Sequence, residues 1–317
     1  MIKLKPALKD YLWGGNKLKN EYGKIGDTEI VAESWELSTH PDGVSTIEEG
    51  EDKGLSLSSY IKSKGKKELG SKCKVEDDIP ILIKFIDAKD DLSIQVHPDD
   101  KYALKYEGDY GKTEMWYVLE AEENAELIYG FSKDMTKEGF RLAVENHTLT
   151  EVVNHVKVEK GDVFFIEPGM MHAIGKGIII AEIQQRSNVT YRIYDFNRVG
   201  IDGKPRELHV DKALEVVRLN KAGEPKVKYT LIEHEGYKRG VLASCEYFHV
   251  ELIEVNTEVE LNVDETTFQS LLVVEGNGQI ISEKEKIEMG KGDSVFLPAG
   301  YGNYSVVGEC KIIFSTI

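Results

Sequence analysis

The chain has 317 residues, 41% of them hydrophobic, enough for one large core or two ordinary ones. Its formal net charge of −16 is spread along the chain and repels polyanions, so neither nucleic acid nor a membrane is an expected partner. Three scattered cysteines, Cys73, Cys245 and Cys310, exclude a disulfide framework, and no apolar run approaches the ~20 residues of a membrane span.

The opening MIKLKPALKD is charged and lacks the apolar stretch of a signal peptide, so a soluble, cytoplasmic protein is expected. Taken in order, SLSSYIKSKGKKEL (56–69) begins with a serine suited to capping and predicts a helix. IPILIKFIDA (79–88) predicts a strand, rich in β-branched residues. LSIQVHPDD (92–100) alternates apolar Leu92, Ile94 and Val96 with Ser93, Gln95 and His97, then stops in a Pro-Asp-Asp turn. EMWYVLEA (114–121) predicts a further strand, and KDMTKEGFRLAVENHTLTEVVNHV (133–156) has apolar residues at helical spacing. GDVFFIEPG (161–169), GIIIAEIQQ (177–185) and VTYRIYDF (189–196) predict strands, and RELHVDKALEVVRL (206–219) one amphipathic helix. A second strand group follows in FHVELIEV (248–255), SLLVVEG (270–276), SVFLPAG (294–300) and CKIIFSTI (310–317). Many short strands with a helical insert point to a mainly β protein, a sandwich or barrel with helical additions.

An internal repeat divides these strands. EKGDVFFIEPGMMHAIG (159–175) and GKGDSVFLPAGYGNYSV (290–306) align without gaps from Gly161 and Gly292. The expected organisation is two β-barrel domains of one ancestry, residues 1–225 with a helical insert at about 132–156, and residues 226–317, joined near NKAGEPKVKY (220–229). In this alignment Glu114 falls opposite Gln269 and His172 opposite Asn303, so if the first copy binds a metal the second has lost two of its ligands, and any metal chemistry is expected in the first domain only.

Gln95 and His97 are two apart on one strand and share a face. Glu114 opens the next strand and His172 follows the turn EPGMM. Two imidazoles and a carboxylate suit Zn²⁺, with an amide oxygen as fourth ligand, although the set also accepts Mn²⁺, Fe²⁺, Co²⁺ or Ni²⁺. Lys112, two before Glu114, shares its face, and Arg192 lies in a cationic stretch with Arg186 and Arg198, on the face of Thr190 and Tyr194 by simple alternation. Arg186 and Arg198 read as surface or salt-bridge residues, and Trp13 and Trp116 as core.

These residues carry a resemblance. GDVFFIEPGMMHAIG resembles the second motif of the cupin superfamily, in which a strand-end histidine completes a metal site inside a jelly-roll barrel. YLWGGNKL (11–18), AESWELSTHPDG (32–43), SIQVHPDD, GKTEMWYVL and NVTYR together resemble the short bacterial form of the type I mannose-6-phosphate isomerases, in this order and along the whole chain. The resemblance implies two cupin-type jelly-roll barrels, one Zn²⁺ held by Gln95, His97, Glu114 and His172, and a pocket lined by Ser93, Lys112, Glu182 and Arg192. It implies interconversion of mannose 6-phosphate and fructose 6-phosphate through a cis-enediol, with Arg192, Lys112 and Glu182 as catalytic residues and Ser93, Lys112 and Arg192 on the substrate. Two readings compete: a cupin-type Fe(II) oxygenase, whose first motif usually carries an HxH pair where Gln95 and His97 stand here, and a non-catalytic sugar-binding bicupin.

Overall fold

A computed structural model describes residues 1–74, 78–200 and 203–317. Strand far exceeds helix, 41% against 13%, so the protein is mainly β. Among the described residues no helix is long and apolar enough to cross a membrane.

The chain divides into two compact units, one of Met1–Lys9, Asn16–Phe85 and Lys228–Ile317, the other of Asp10–Gly15 and Ile86–Val227. A single cut near residue 225 therefore leaves out one rearrangement: most of the first 85 residues group with the C-terminal strands. Strand pairing is the reason. Ile2–Lys5 lies antiparallel to Ser294–Leu297, with Ile2 opposite Phe296, and a partner so distant in sequence has no local signature.

The unit around Ile86–Val227 holds β1 (Ile94–Val96), α1 (Asp100–Tyr106), β2 (Glu114–Ala121), β3 (Glu126–Phe131), α2 (Lys137–Glu145), β4 (Val153–Lys157), β5 (Val163–Ile166), β6 (His172–Ala173), β7 (Ile178–Gln185), β8 (Tyr191–Tyr194) and α3 (Val210–Val216). Strands β5-β2-β7 pair in that order, and β8-β1-β6-β3-β4 form a second antiparallel sheet. One face of the second sheet is apolar. Ile94, Val96, Phe131 and Tyr191 pack there with Phe140, Ala143 and Val144 of α2 and with Ala213 and Leu214 of α3. Gln95, between Ile94 and Val96, must then point the other way, because side chains alternate along a strand.

Three local expectations change. The Pro-Asp-Asp turn is a helix start: Asp99 caps α1, its carboxylate accepting from the Tyr102 amide at 2.8 Å. The helical insert is shorter than 132–156. Helix α2 ends at Glu145, His147 takes φ +57°, and after a 3₁₀ turn at Leu149–Glu151 the β-branched Val153 and Val156 run as strand β4 beside β3. The helix expected over 206–219 covers only Val210–Val216. The His209 amide donates to the Arg192 carbonyl at 2.7 Å and the Glu207 carbonyl accepts from Arg192 Nη1 at 2.9 Å, and these tertiary bonds hold the preceding residues outside the helix.

The C-terminal part of the other unit carries β9 (Tyr237–Ser244), β10 (His249–Val255), β11 (Glu258–Val263), β12 (Gln269–Ile281), β13 (Lys286–Gly290), β14 (Ser294–Leu297) and β15 (Gly302–Thr316). They pair β9-β10-β15-β12-β14, with β11 on β15 and β13 on β12. Leu271, Val273, Val295, Ile312 and Phe314 are among the residues filling its core. Leu271→Ala is expected to cost about 2–5 kcal/mol, read as a lower denaturant midpoint with metal content unchanged.

The sequence repeat reappears in strand register. Glu114 lies opposite Ile166, and Gln269 lies opposite Leu297, the residue aligned with Ile166. Past the turn the equivalence slips. Asn303, aligned with His172, is exposed, whereas Tyr304 is buried and its hydroxyl donates to Gln269 Oε1 at 2.6 Å. Gly302, which opens this strand, sits at φ +97°. The second copy has thus filled with a tyrosine the side on which the first presents a histidine.

Candidate metal centre

Both sheets of the Ile86–Val227 unit contribute to one buried cluster. His97 follows β1, Glu114 opens β2 and His172 opens β6, and all three are buried, with one ligand atom from each lying within 4.8 Å of the others. His172 Nε2 is 3.3 Å from Glu114 Oε1, and His97 Nε2 is 3.8 Å from Glu114 Oε2. Tetrahedral ligands at about 2.0–2.2 Å from an ion are roughly 3.3–3.6 Å apart, so the donor set fits a divalent cation. The strand pair β1–β6 places Gln95 opposite His172, with its side-chain nitrogen 3.4 Å from His172 Nε2. Turning that amide about its last torsion presents the oxygen, the atom that a metal binds.

The backbone sets both imidazoles. His97 Nδ1 donates to the Val189 carbonyl and His172 Nδ1 to the Met170 carbonyl, each at 2.8 Å. Each Nδ1 therefore carries the hydrogen and each Nε2 keeps its lone pair for the cluster. Burial holds the His172 pKa down at about 4, which keeps this ring in its neutral, ligating form. The turn before His172 is tied to the same place. The Gly169 amide donates to the His97 carbonyl at 2.8 Å; Gly169 has φ +83°, and a Cβ there would lie 2.7 Å from the Val216 carbonyl oxygen. Glycine alone fits comfortably.

Charged groups surround the cluster. Lys112 is buried, its ammonium 2.6 Å from Glu114 Oε2, 3.3 Å from His97 Nε2 and 3.6 Å from Glu182 Oε1. Glu182 is also buried and accepts from Trp116 Nε1 at 2.9 Å. Trp116 in turn lies edge-on to His172, ring centroids 5.3 Å apart. Trp116 is thus buried in the core and also touches both Glu182 and His172.

Arg192 on β8 lies opposite Gln95 on β1, and paired residues share a face. Tyr194 instead pairs with Ile94, on the apolar face, because the register shifts between Arg192 and Tyr194. Simple alternation would have put Arg192 and Tyr194 together; the bulge, which takes Ile193 into the core, separates them. Burial, and then Arg206, push the Arg192 pKa down, with Asp195 opposing. Arg198 and Arg206 both donate to Asp195 Oδ1 at 2.5 Å, so Arg198 is a salt-bridge residue. Arg186 lies over the Tyr110 ring at 5.8 Å.

Family models for the type I phosphomannose isomerase catalytic domain and the mannose-6-phosphate isomerase cupin domain match residues 1–141 and 239–317. A mannose-6-phosphate isomerase of Streptococcus mutans is 36% identical over 304 residues, spanning 96% of this chain and 94% of its own length. The chain belongs to the mannose-6-phosphate isomerase family. Mannose-6-phosphate isomerase ManA of Bacillus subtilis is 36% identical across 98% of this family member and 97% of its own length. The crystal structure of a Bacillus subtilis mannose 6-phosphate isomerase superposes with a TM-score of 0.92 at 33% identity, covering 100% of this chain and 99% of that one.

In this member of the mannose-6-phosphate isomerase family, Gln95, His97, Lys112 and Glu114 fall within the catalytic-domain match, while His172, Glu182 and Arg192 lie between the two matched segments. The structure gathers His97, Glu114, His172, Gln95, Lys112 and Glu182, with Arg192 beside Gln95. Ser93, two residues before Gln95, is buried, as is Trp13. Sequence reading missed Gln184, which pairs with Glu114 across β7 and β2 and is buried; its place two after Glu182 was the available signal. It also missed the Asp195–Arg206 pair, which no local spacing reveals.

Proposed function

We propose that the protein interconverts mannose 6-phosphate and fructose 6-phosphate, using one Zn²⁺ held by Gln95, His97, Glu114 and His172. The observation that carries this reading is the convergence of three buried ligands beside a buried Lys112–Glu182 pair, in a chain of this family. The reading also takes the two repeats as cupin-type jelly-roll barrels, the metal-bearing one extending to about residue 225 and the degenerate one over 226–317, and the location as the cytoplasm.

The reaction moves a proton between C2 and C1 through a cis-enediol. An ion held by Gln95, His97, Glu114 and His172 would supply Lewis-acid stabilisation of negative charge. This chain's residues supply the rest. The Lys112–Glu182 pair, buried and 3.6 Å apart beside the cluster, is the candidate acid–base pair for that proton. Trp116 keeps Glu182 oriented through its indole N–H. Arg192 and Lys112 neutralise substrate anionic charge, giving a pocket that a protein of net charge −16 needs for a sugar phosphate, and Ser93 contacts the substrate.

A coupled assay with mannose 6-phosphate, run before and after chelation, tests the proposal. Turnover is expected to fall by on the order of 10²–10³ on chelation and to return with Zn²⁺. Turnover unaffected by complete metal removal would sink the metal assignment. Oxygen consumption, or binding without turnover, would sink the isomerase assignment.

A further inference from the structure

Glu114 enters the proposed centre at the very end of its sheet. The registered pairs of β2 with β5 and with β7 stop at Glu114. Residues 111–113, which lead the chain into it from α1, therefore lie beyond both ladders.

Side chains hold this approach instead. Three consecutive amides before Glu114 each have a partner. Gly111 N–H donates to Asp100 Oδ1 at 2.7 Å, Lys112 N–H to the Pro98 carbonyl at 3.1 Å, and Thr113 N–H to Gln185 Oε1 at 2.8 Å. The two side-chain acceptors are themselves joined, because Gln185 Nε2 donates to Asp100 Oδ1 at 2.9 Å. Pro98 and Asp100 belong to the turn after His97, and Gln185 ends β7, the strand of Glu182. One buried amide thus ties the approach to Glu114 both to the His97 turn and to β7. Gly111 lets the segments meet, since a Cβ there would lie 2.5 Å from the Asp100 nitrogen.

The chemistry needed at residue 185 is narrow. A backbone N–H only donates and an ionised carboxylate only accepts, so the group between them must accept at one atom and donate at the other. A primary amide does this, and its two partners leave it a single orientation. Glutamate would set one carboxylate against another. Methionine, of similar length, would leave the buried Thr113 N–H without its acceptor.

We propose that Gln185, together with Asp100, is a positioning residue of the metal centre: the bridge fixes where Glu114 presents its carboxylate relative to His97. This rests on the metal centre proposed above. Gln185 acts through Glu114 and not on the ion, and losing a group that orients a ligand commonly weakens metal affinity by about 10–100-fold.

Zn²⁺ is titrated into the full-length protein against a chromophoric chelator, for the wild type, Gln185→Met, Asp100→Ala, Asp100→Asn and Leu271→Ala. Gln185→Met and Asp100→Ala are each expected to bind Zn²⁺ about tenfold more weakly or worse. Asp100→Asn keeps an oxygen for both donors and is expected to stay within about threefold of the wild type. Leu271→Ala lowers stability from the other unit and is expected to leave affinity unmoved, which separates positioning from a general weakening of the fold. A loss smaller than about threefold in Gln185→Met overturns the proposal, and so does an equal loss in Leu271→Ala. If Gln185→Met does not fold, a loss smaller than about threefold in Asp100→Ala overturns it instead. An Asp100→Asn loss as large as that of Asp100→Ala also overturns it, because charge and not the bridging oxygen would then be at work. A wild-type protein that takes up no Zn²⁺ overturns the centre itself, a different result from a normal wild-type titration with unmoved variants.

Discussion

Glu114→Gln is expected to lose its bound metal and to turn over mannose 6-phosphate about 10³-fold more slowly, with little change in thermal stability in the presence of chelator. Glu114 is fully buried, with one oxygen 3.3 Å from His172 and the other 3.8 Å from His97. The amide conserves volume but removes the only carboxylate among the four proposed ligands, and two imidazoles and two amides make a poor site for a hard or borderline divalent ion. Folding is protected, because Lys112 keeps Glu182 as a partner when Glu114 becomes neutral. Metal analysis of the purified variant, beside a coupled assay, decides the matter. A variant with full metal content and turnover within tenfold of the wild type would remove Glu114 from the centre.

Arg192→Ala is expected to lower kcat/KM by about 10²-fold or more and to leave the metal bound. The guanidinium belongs to the ligand strand by register, opposite Gln95, yet it is not a ligand. One of its nitrogens is anchored on the Glu207 carbonyl at 2.9 Å, which limits the directions that it can take. Arg206 and Arg198, fixed on Asp195, add positive potential next to it. Removing a charged, partly desolvated contact to an anion in such a setting costs about 2.7–4 kcal/mol, which corresponds to 10²–10³ in rate. Arg192→Lys should recover part of the loss through its charge but not through bidentate geometry. Loss of metal from Arg192→Ala, or a drop in kcat/KM smaller than tenfold, would take Arg192 out of the substrate pocket.

Much of this centre was legible one strand at a time. Alternation along 92–97 separated Gln95 from Ile94 and Val96, and the structure puts those two aliphatics in the core shared with α2 and α3. The aligned repeats identified Gln269 as the counterpart of Glu114, and strand register agrees. The same reasoning failed where a single residue changes the phase. The bulge between Arg192 and Tyr194 reverses one face, and past the second turn Asn303 is exposed and Tyr304 buried. Neither event alters composition or apolar spacing enough to be read from a window of residues. The helices at 133–156 and 206–219 were overestimated for a related reason: pairing with β3 in one case and hydrogen bonds to Arg192 in the other outweigh helical spacing.

The amino-acid sequence by itself determined which side chains could serve and on which face of each short strand most of them lie, because period-two alternation is a property of consecutive residues. It also set Glu114 and His172 of one repeat against Gln269 and Asn303 of the other, so that only the first carries the candidate ligands. Only the tertiary structure decided the rest. It brought Gln95 to His172 across 77 positions of chain, directed both Nε2 atoms inward through two backbone carbonyls, and set the Lys112 ammonium against Glu114. It also grouped residues 1–9 and 16–85 with the C-terminal strands. Such choices depend on the free energy of pairing between distant strands and of burying charge among specific partners, and no local stretch of sequence contains both halves of either interaction.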